Sequence, residues 1–367
     1  MKMLKKKLVL FFITLTCYLI LNLQINANSQ TIVNYDAEYK EGQKIAKEIE
    51  SYYKIVKDHT VQERLNKIGE RLQKYAREFS GVKDLKLTIR AYYSNDVNAF
   101  ALPGGFIFVT TGMLNFVRTD DELACILSHE TGHVVLDHHR KQMELQKKYT
   151  LVALAVIIAS RGNASATESA SLLSMAMLNQ YSIELEKQAD EFAIRCAIAC
   201  GYNPVGLLTT MERLNARERS SQDINWGIYR NHPKTEERIK YIIADLKKDG
   251  ITINRRIAAD YFRVTNDGPN IYIEKDFWFN LQDYPEIFPN PFINITSVIK
   301  NLNLAFDEEP NIYDIRVITN ENNVIIDIKN ITIITTKNTE ENRKILDELC
   351  SRLKKIVWEN SFWEAFN

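Results

Sequence analysis

The residues with the clearest chemical potential are His129-Glu130-Thr131-Gly132-His133, a His-Glu-x-x-His pattern in a chain that has only six histidines. On a helix, positions i and i+4 share a face, so two imidazoles can hold one metal ion while Glu130 beside them works on a water. The bland alternative is an ordinary polar helix face. A catalytic zinc ion keeps one position open and takes three protein ligands, so a third has to be found. His139 has the metzincin spacing, but Leu136 stands where that pattern needs glycine, so the helix is expected to carry His139 away from the metal. Glu186 is the better candidate, because Asp190 follows one turn later. The first carboxylate of such a pair can bind metal and the second can orient a ligand imidazole. Glu184, Glu186, Lys187 and Glu191 could instead form a solvated face. The reading adopted is a gluzincin site, with one Zn2+ held by His129, His133 and Glu186.

The elements that must position these residues are legible in outline. Thr119 and Glu122 make a capping-box signature ahead of the apolar positions Leu123, Ile126, Leu127, Val134 and Val135, which places the zinc motif on a helix. Two amphipathic helices precede it, on Ile45 to Val56 and Val61 to Tyr75. Between them and the motif, Leu85 to Ala91 alternate with polar residues, and Pro103-Gly104-Gly105 separates Val97–Leu102 from Phe106–Thr111. That pattern predicts a short antiparallel sheet. A helix from about Gln180 to Cys200 ends at Gly201, Pro204 opens another, and a further helix covers 234–248. The fold class is therefore α+β: a mainly α-helical zincin-type peptidase domain with a small antiparallel sheet, over 28–250, followed by a small α+β domain over 251–367. In the latter, β-type runs at 312–319, 323–328 and 331–336 precede a helix at 339–358.

At four stretches the chain resembles a known family, the zinc peptidases that include HtpX, the CAAX prenyl protease and the periplasmic β-barrel assembly-enhancing protease. The stretches are Asn98 to Gly105 with the following strand, the motif at 129–133, Tyr181-Ser182 through Glu186 to Asp190, and His232-Pro233 with Arg238. The resemblance covers about residues 35–248. It implies that His129, His133 and Glu186 bind zinc, that Glu130 is general base and then acid, and that Asp190 and Arg238 support them. It also implies a role for His232 as oxyanion donor or as a movable ligand over the metal. Ile183 departs from the arginine common in the family, and the C-terminal domain lacks the helical repeats of the β-barrel assembly-enhancing protease. An extended substrate is expected to add to the strand Phe106–Thr111, with Asn98, Ala99, Phe106 and Phe108 as contacts.

Composition limits the rest. Lys plus Arg equals Asp plus Glu at 47 each, which gives no basic excess for nucleic acid. The first 27 residues carry four lysines and an apolar run from Leu8 to Leu23, and read as a signal peptide for export to the periplasm or another extracytoplasmic space. Cys125, Cys196, Cys200 and Cys350 are too sparse for a disulfide-built fold; Cys196 and Cys200, one helical turn apart, are read as free thiols. The apolar arms at 151–178 carry only Arg161 and Glu168, and are read as lying at a membrane surface, over the active-site mouth, or against the C-terminal domain. The function expected is a zinc endopeptidase clearing misfolded or stalled envelope proteins. The runner-up is a membrane-associated chaperone or assembly factor whose proteolysis is normally held off. Unfolded or misassembled proteins, a membrane surface and envelope assembly machinery are the expected partners. A structural zinc site, which favours four Cys-rich ligands, fits poorly.

Overall fold

A computed structural model describes residues 35–147, 183–220 and 235–360. The expected leader at 1–27, the apolar arms at 151–178, and Tyr181, Ser182, His232 and Pro233 lie outside the described residues.

Helices α1 (Tyr35–Tyr52) and α2 (His59–Ser80) open the described chain. Asp58 caps α2 by accepting from the Val61 N–H, and Gly81 closes it with φ 71°, a conformation that glycine adopts without a Cβ penalty. Leu65, Ile68, Leu72 and Ala76 form its buried face. The sheet that follows contains β1 (Thr88–Tyr92), β2 (Ala99–Leu102) and β3 (Phe106–Thr110) in the order β1-β3-β2. β2 and β3 are the expected antiparallel hairpin across Pro103-Gly104-Gly105, whereas β1 pairs with β3 in parallel. The parallel pair arises because the chain reverses twice between them. β3 is therefore the middle strand, and all five of its residues are buried. Phe106 and Phe108 thus cannot offer an open edge to substrate, since both sides of their backbone are already paired. The sheet's edge on this side is β2.

Helix α3 (Thr111–Phe116) leads to α4 (Asp120–Val135), which carries the motif. Thr119 caps α4 by accepting from the Glu122 N–H. Glu122 does not complete the capping box. Its buried carboxylate accepts instead from Arg118 N (2.7 Å), Thr209 Oγ1 (2.7 Å) and Arg213 Nη1 (2.7 and 2.9 Å). α5 (Ile183–Ala199), α6 (Val205–Ser220) and α7 (Thr235–Lys248) follow within a few residues of their predicted limits. Gly132 lets α4 and α5 approach closely: a Cβ there would stand 3.2 Å from the Ala189 Cα.

Beyond α8 (Arg255–Ala259), one three-stranded sheet holds β4 (Val264–Asp267), β5 (Asn270–Ile273) and β6 (Asp276–Asn280). Helix α9 (Pro291–Asp307) separates it from a second sheet of β7 (Ile315–Thr319), β8 (Asn323–Ile328) and β9 (Ile331–Lys337), and α10 (Glu340–Asn360) packs across that sheet. All pairings in these two sheets are antiparallel.

Two large apolar clusters divide the described residues. One runs from Val56 to Ala258 and holds α4 and α5; the other runs from Phe262 to Val357. Charged groups join them. Arg255 is clamped between Glu212 (Nε–Oε2 2.8 Å) and Glu309 (Nη1–Oε2 2.7 Å). Arg118 donates to Ala259 O and Asp260 O, pairs with Glu274 at 3.0 Å, and lies over the Tyr261 ring.

Candidate metal centre and its supporting residues

On α4, His129, Glu130 and His133 all face inward and are buried. Opposite them, α5 contributes Glu186 and Asp190, which are fully buried. The Nε2 atoms of His129 and His133 stand 3.0 Å apart, and the Glu186 carboxylate lies 3.5 Å from the first and 3.4 Å from the second. Three ligands at 2.0–2.1 Å from one tetrahedral ion sit about 3.3 Å from one another, so these separations match the edges of a zinc coordination shell. Among the described residues, this is the only trio of His, Cys, Asp or Glu side chains grouped closely enough to hold a metal.

The Nδ1 atoms of both imidazoles face supporting groups. His129 Nδ1 stands 2.8 Å from Asp190 Oδ1. Asp190 is saturated: it also accepts from Arg238 Nη2 (2.7 Å), Arg238 Nε (2.9 Å) and the Tyr241 hydroxyl (2.8 Å). Burial works to raise its carboxyl, but Arg238 and His129 bring it down to about 2. Burial would likewise lower His129, yet Asp190 outweighs it and holds the imidazole up at about 9. Arg238 reaches Glu186 as well, Nη1 to Oε2 at 3.1 Å. One guanidinium thus fixes both the carboxylate facing the metal position and the carboxylate behind His129.

His133 Nδ1 lies 2.9 Å from the Nδ1 of His138, whose Nε2 lies 3.4 Å from Gln188 Oε1. An amide oxygen can only accept, so His138 carries its proton on Nε2 and accepts at Nδ1 from His133. His133 is then left with its Nε2 lone pair facing the metal position. Burial, with Lys141 adding to it, lowers His138 to about 4 and keeps it neutral. His138 is completely buried. The helix ends at Val135, and Asp137, at φ 55°, turns the chain so that His138 swings inward. His139 does not join the metal-facing trio, as expected, although the reason is this turn and not a continuing helix.

Ala101, Leu102 and Pro103 line a small depression with Glu38, His133, Val134, Asp137 and His139. β2, an edge strand among the described residues, thus runs beside the motif. Ala99 lies on β2, and the amide oxygen of Asn98 just before it has no hydrogen-bond partner among the described residues. Burial and the Asp137 carboxylate raise Glu38 to about 7. A carboxyl raised on folding binds its proton more tightly in the folded chain, so stability falls as pH rises from about 4.5 to about 7. Glu38→Gln removes this cost. Because this carboxyl is partly exposed and screened by solvent, urea unfolding should show the variant only about 1 kcal/mol more stable than the parent at pH 8 and little different at pH 4.5. An equal offset at both pH values would contradict the pairing.

The sequence profile of peptidase family M48 matches residues 60–244. The chain belongs to peptidase family M48. The match spans β1–β3, the α4 motif, α5 and α7, and therefore every residue of the metal centre. Among individual members, the chain is 31% identical over 164 residues to the metalloprotease LoiP of Escherichia coli strain K12, covering 44% of this chain and 64% of LoiP. It is 29% identical over 163 residues to the mitochondrial metalloendopeptidase OMA1 of Schizosaccharomyces pombe, covering 44% of this chain and 48% of that protein. It is 26% identical over 195 residues to a putative β-barrel assembly-enhancing protease of Vibrio cholerae, covering 50% of this chain and 39% of that protein. The chain thus spans less than two thirds of each of these relatives. Sequence reasoning missed His138, Gln188 and Tyr241 in this M48 member; only the i+5 spacing of His138 from His133 hinted at the first.

Proposed function

We propose that the chain is a zinc-dependent endopeptidase that is exported and cleaves misfolded or stalled envelope proteins. The observation that carries this reading is the buried trio of His129, His133 and Glu186, with the Nδ1 of each imidazole facing a supporting side chain. Zinc bound there would make a coordinated water acidic and polarise a peptide carbonyl. Glu130, between the two imidazoles, takes the water proton and returns it to the leaving amine. Asp190 and Arg238 keep His129 and Glu186 in place, and His138 does the same for His133. The substrate lies extended along β2, reading the strand's backbone. His232 supplies a donor to the developing oxyanion.

Export is supported by the lysines and apolar run of residues 2–23, and among the described residues no helix is long and apolar enough to cross a membrane. Substrates of the envelope are supported by the likeness to a β-barrel assembly-enhancing protease. The reading is tested by following cleavage of a permanently unfolded protein by the zinc-loaded chain, then after chelation, then after zinc is returned. Cleavage that stops on chelation and recovers with zinc supports it. A zinc-loaded chain that leaves the unfolded protein intact overturns it.

A further inference from the structure

The last turn of α5 holds a second chemically competent group that the metal centre does not use. Cys196 and Cys200 lie one helical turn apart with their Sγ atoms 4.0 Å from each other. Cys196 is completely buried, and Cys200 is half-buried at the protein surface. Residues i and i+4 of a helix have Cα atoms about 6 Å apart, inside the range of about 4.4–6.8 Å that a disulfide spans, while their Cβ atoms, about 5–6 Å apart on a regular helix, have to close to about 4 Å. The helix also ends here, because Gly201 turns the chain at φ 76°. Closing the bond asks the Cys200 backbone, whose N–H donates to Cys196 O at 2.9 Å, to shift at this helix end, away from the earlier turns of α5 that carry Glu186 and Asp190.

The two sulfurs have different surroundings. The Cys200 thiol donates to Arg71 O at 3.3 Å, and the Arg71 guanidinium lies over the neighbouring Tyr202 ring. A hydrogen bond from Cys196, aided by Arg71, lowers Cys200, against burial and the more distant Glu78. Cys196 is pushed the other way, by that same bond and by burial. Cys350 is a buried single thiol, and Cys125, also buried, lies close enough to Cys196 to add to its upward shift; burial raises both.

We propose that Cys200 and Cys196 form a reversible thiol–disulfide exchange site for small-molecule disulfides, with Cys200 the attacking sulfur and Cys196 the resolving one. The Cys200 thiolate attacks one sulfur of the small disulfide, forming a mixed disulfide and releasing one thiolate. Cys196 then gives up its proton and attacks the Cys200 sulfur, which closes the Cys196–Cys200 bond and releases the second thiolate. The protein pair loses two electrons and two protons, and the small disulfide becomes two thiols. This site is independent of the peptidase reading, since it uses no residue of the metal centre.

The test uses the full chain, reduced, desalted and exposed to oxidised glutathione, then quenched in acid and alkylated after denaturation, followed by intact mass and peptide mapping of Cys196 and Cys200. The wild type should lose both alkylatable thiols together, become lighter by two hydrogens, and regain them with dithiothreitol. Cys196→Ser and Cys196→Ala should stop at a stable glutathione adduct on Cys200, and Cys200→Ser should carry none on Cys196. A wild type that keeps Cys200 alkylatable, that accumulates the glutathione adduct unresolved, or that forms a disulfide to Cys125 or Cys350 overturns the proposal. Two variants at Cys196 separate loss of the resolving thiol from a packing defect, because only the former predicts the same adduct in both.

Discussion

Glu130→Gln should lose about 10²–10⁴-fold in kcat/KM on an unfolded protein substrate, equivalent to ~3–5 kcal/mol of barrier. The same variant should keep its zinc-to-protein ratio and its melting temperature. The amide has the shape of the carboxylate but cannot accept the water proton or return it. It also leaves His129, His133 and Glu186 untouched, together with the Asp190 and His138 contacts behind the imidazoles. Zinc content by atomic absorption and cleavage by gel or peptide mass, measured on the same preparation, separate the two effects. A Glu130→Gln protein that cleaves within a few-fold of the wild type would remove Glu130 from the chemistry. One that loses zinc together with activity would make its role structural.

Arg238→Met is expected to be the most damaging change outside the zinc ligands and Glu130. The guanidinium is buried, spans both oxygens of Asp190 and reaches Glu186. Its removal leaves two carboxylates in the interior without their partner, a loss that typically costs about 3–5 kcal/mol. Asp190 then binds His129 less rigidly, and zinc affinity should fall about 10–100-fold. The pH dependence gives a separate signature. Asp190 is held near 2, below its ordinary 3.8, so its stabilising contribution is complete above about pH 4 and is lost as pH falls toward 2. In the Arg238→Met variant that acid-side loss should shrink. Arg238→Lys keeps the charge but not the planar fork, and should fall between the two. Chemical unfolding at pH 3 and pH 7, with zinc affinity by competition against a chelator, tests all three statements. An Arg238→Met variant with wild-type stability at pH 7 would contradict them.

The metal centre was largely readable because most of it lies in two short helical segments. His129, Glu130 and His133 are fixed relative to each other by the helix itself, and the four-residue step from Glu186 to Asp190 puts those two carboxylates on one face of α5. His138 was not readable, because its burial depends on Asp137 taking a left-handed backbone conformation that a non-glycine residue seldom adopts and that leaves no compositional mark. Tyr241 sits on a face of α7 whose partner, Asp190, is known only once α5 and α7 are packed. The strands Phe106–Thr110 and Ala99–Leu102 were found, but not their order. Local alternation reports that a residue run is extended and says nothing about which neighbour covers its edge. In the C-terminal part, β4 and β5 escaped notice because four residues are too few to show a period, β6 because Phe277, Trp278 and Phe279 run together, and α9 because Phe292 and Ile293 lie exposed and blur its apolar stripe.

The Arg255 clamp between Glu212 and Glu309, and the Arg118 contacts to Ala259, Asp260 and Glu274, bear on how the chain can be cut and reused. Shortening it near residue 250 would strand the Glu212 carboxylate in the interior of α6 and strip Arg118 of its acceptors, one residue before the cap of the helix that carries the motif. The catalytic half is thus not a portable cassette. Any graft or fusion that aims to keep the metal centre intact has to carry residues 255–309 with it, and the two apolar cores should melt as one.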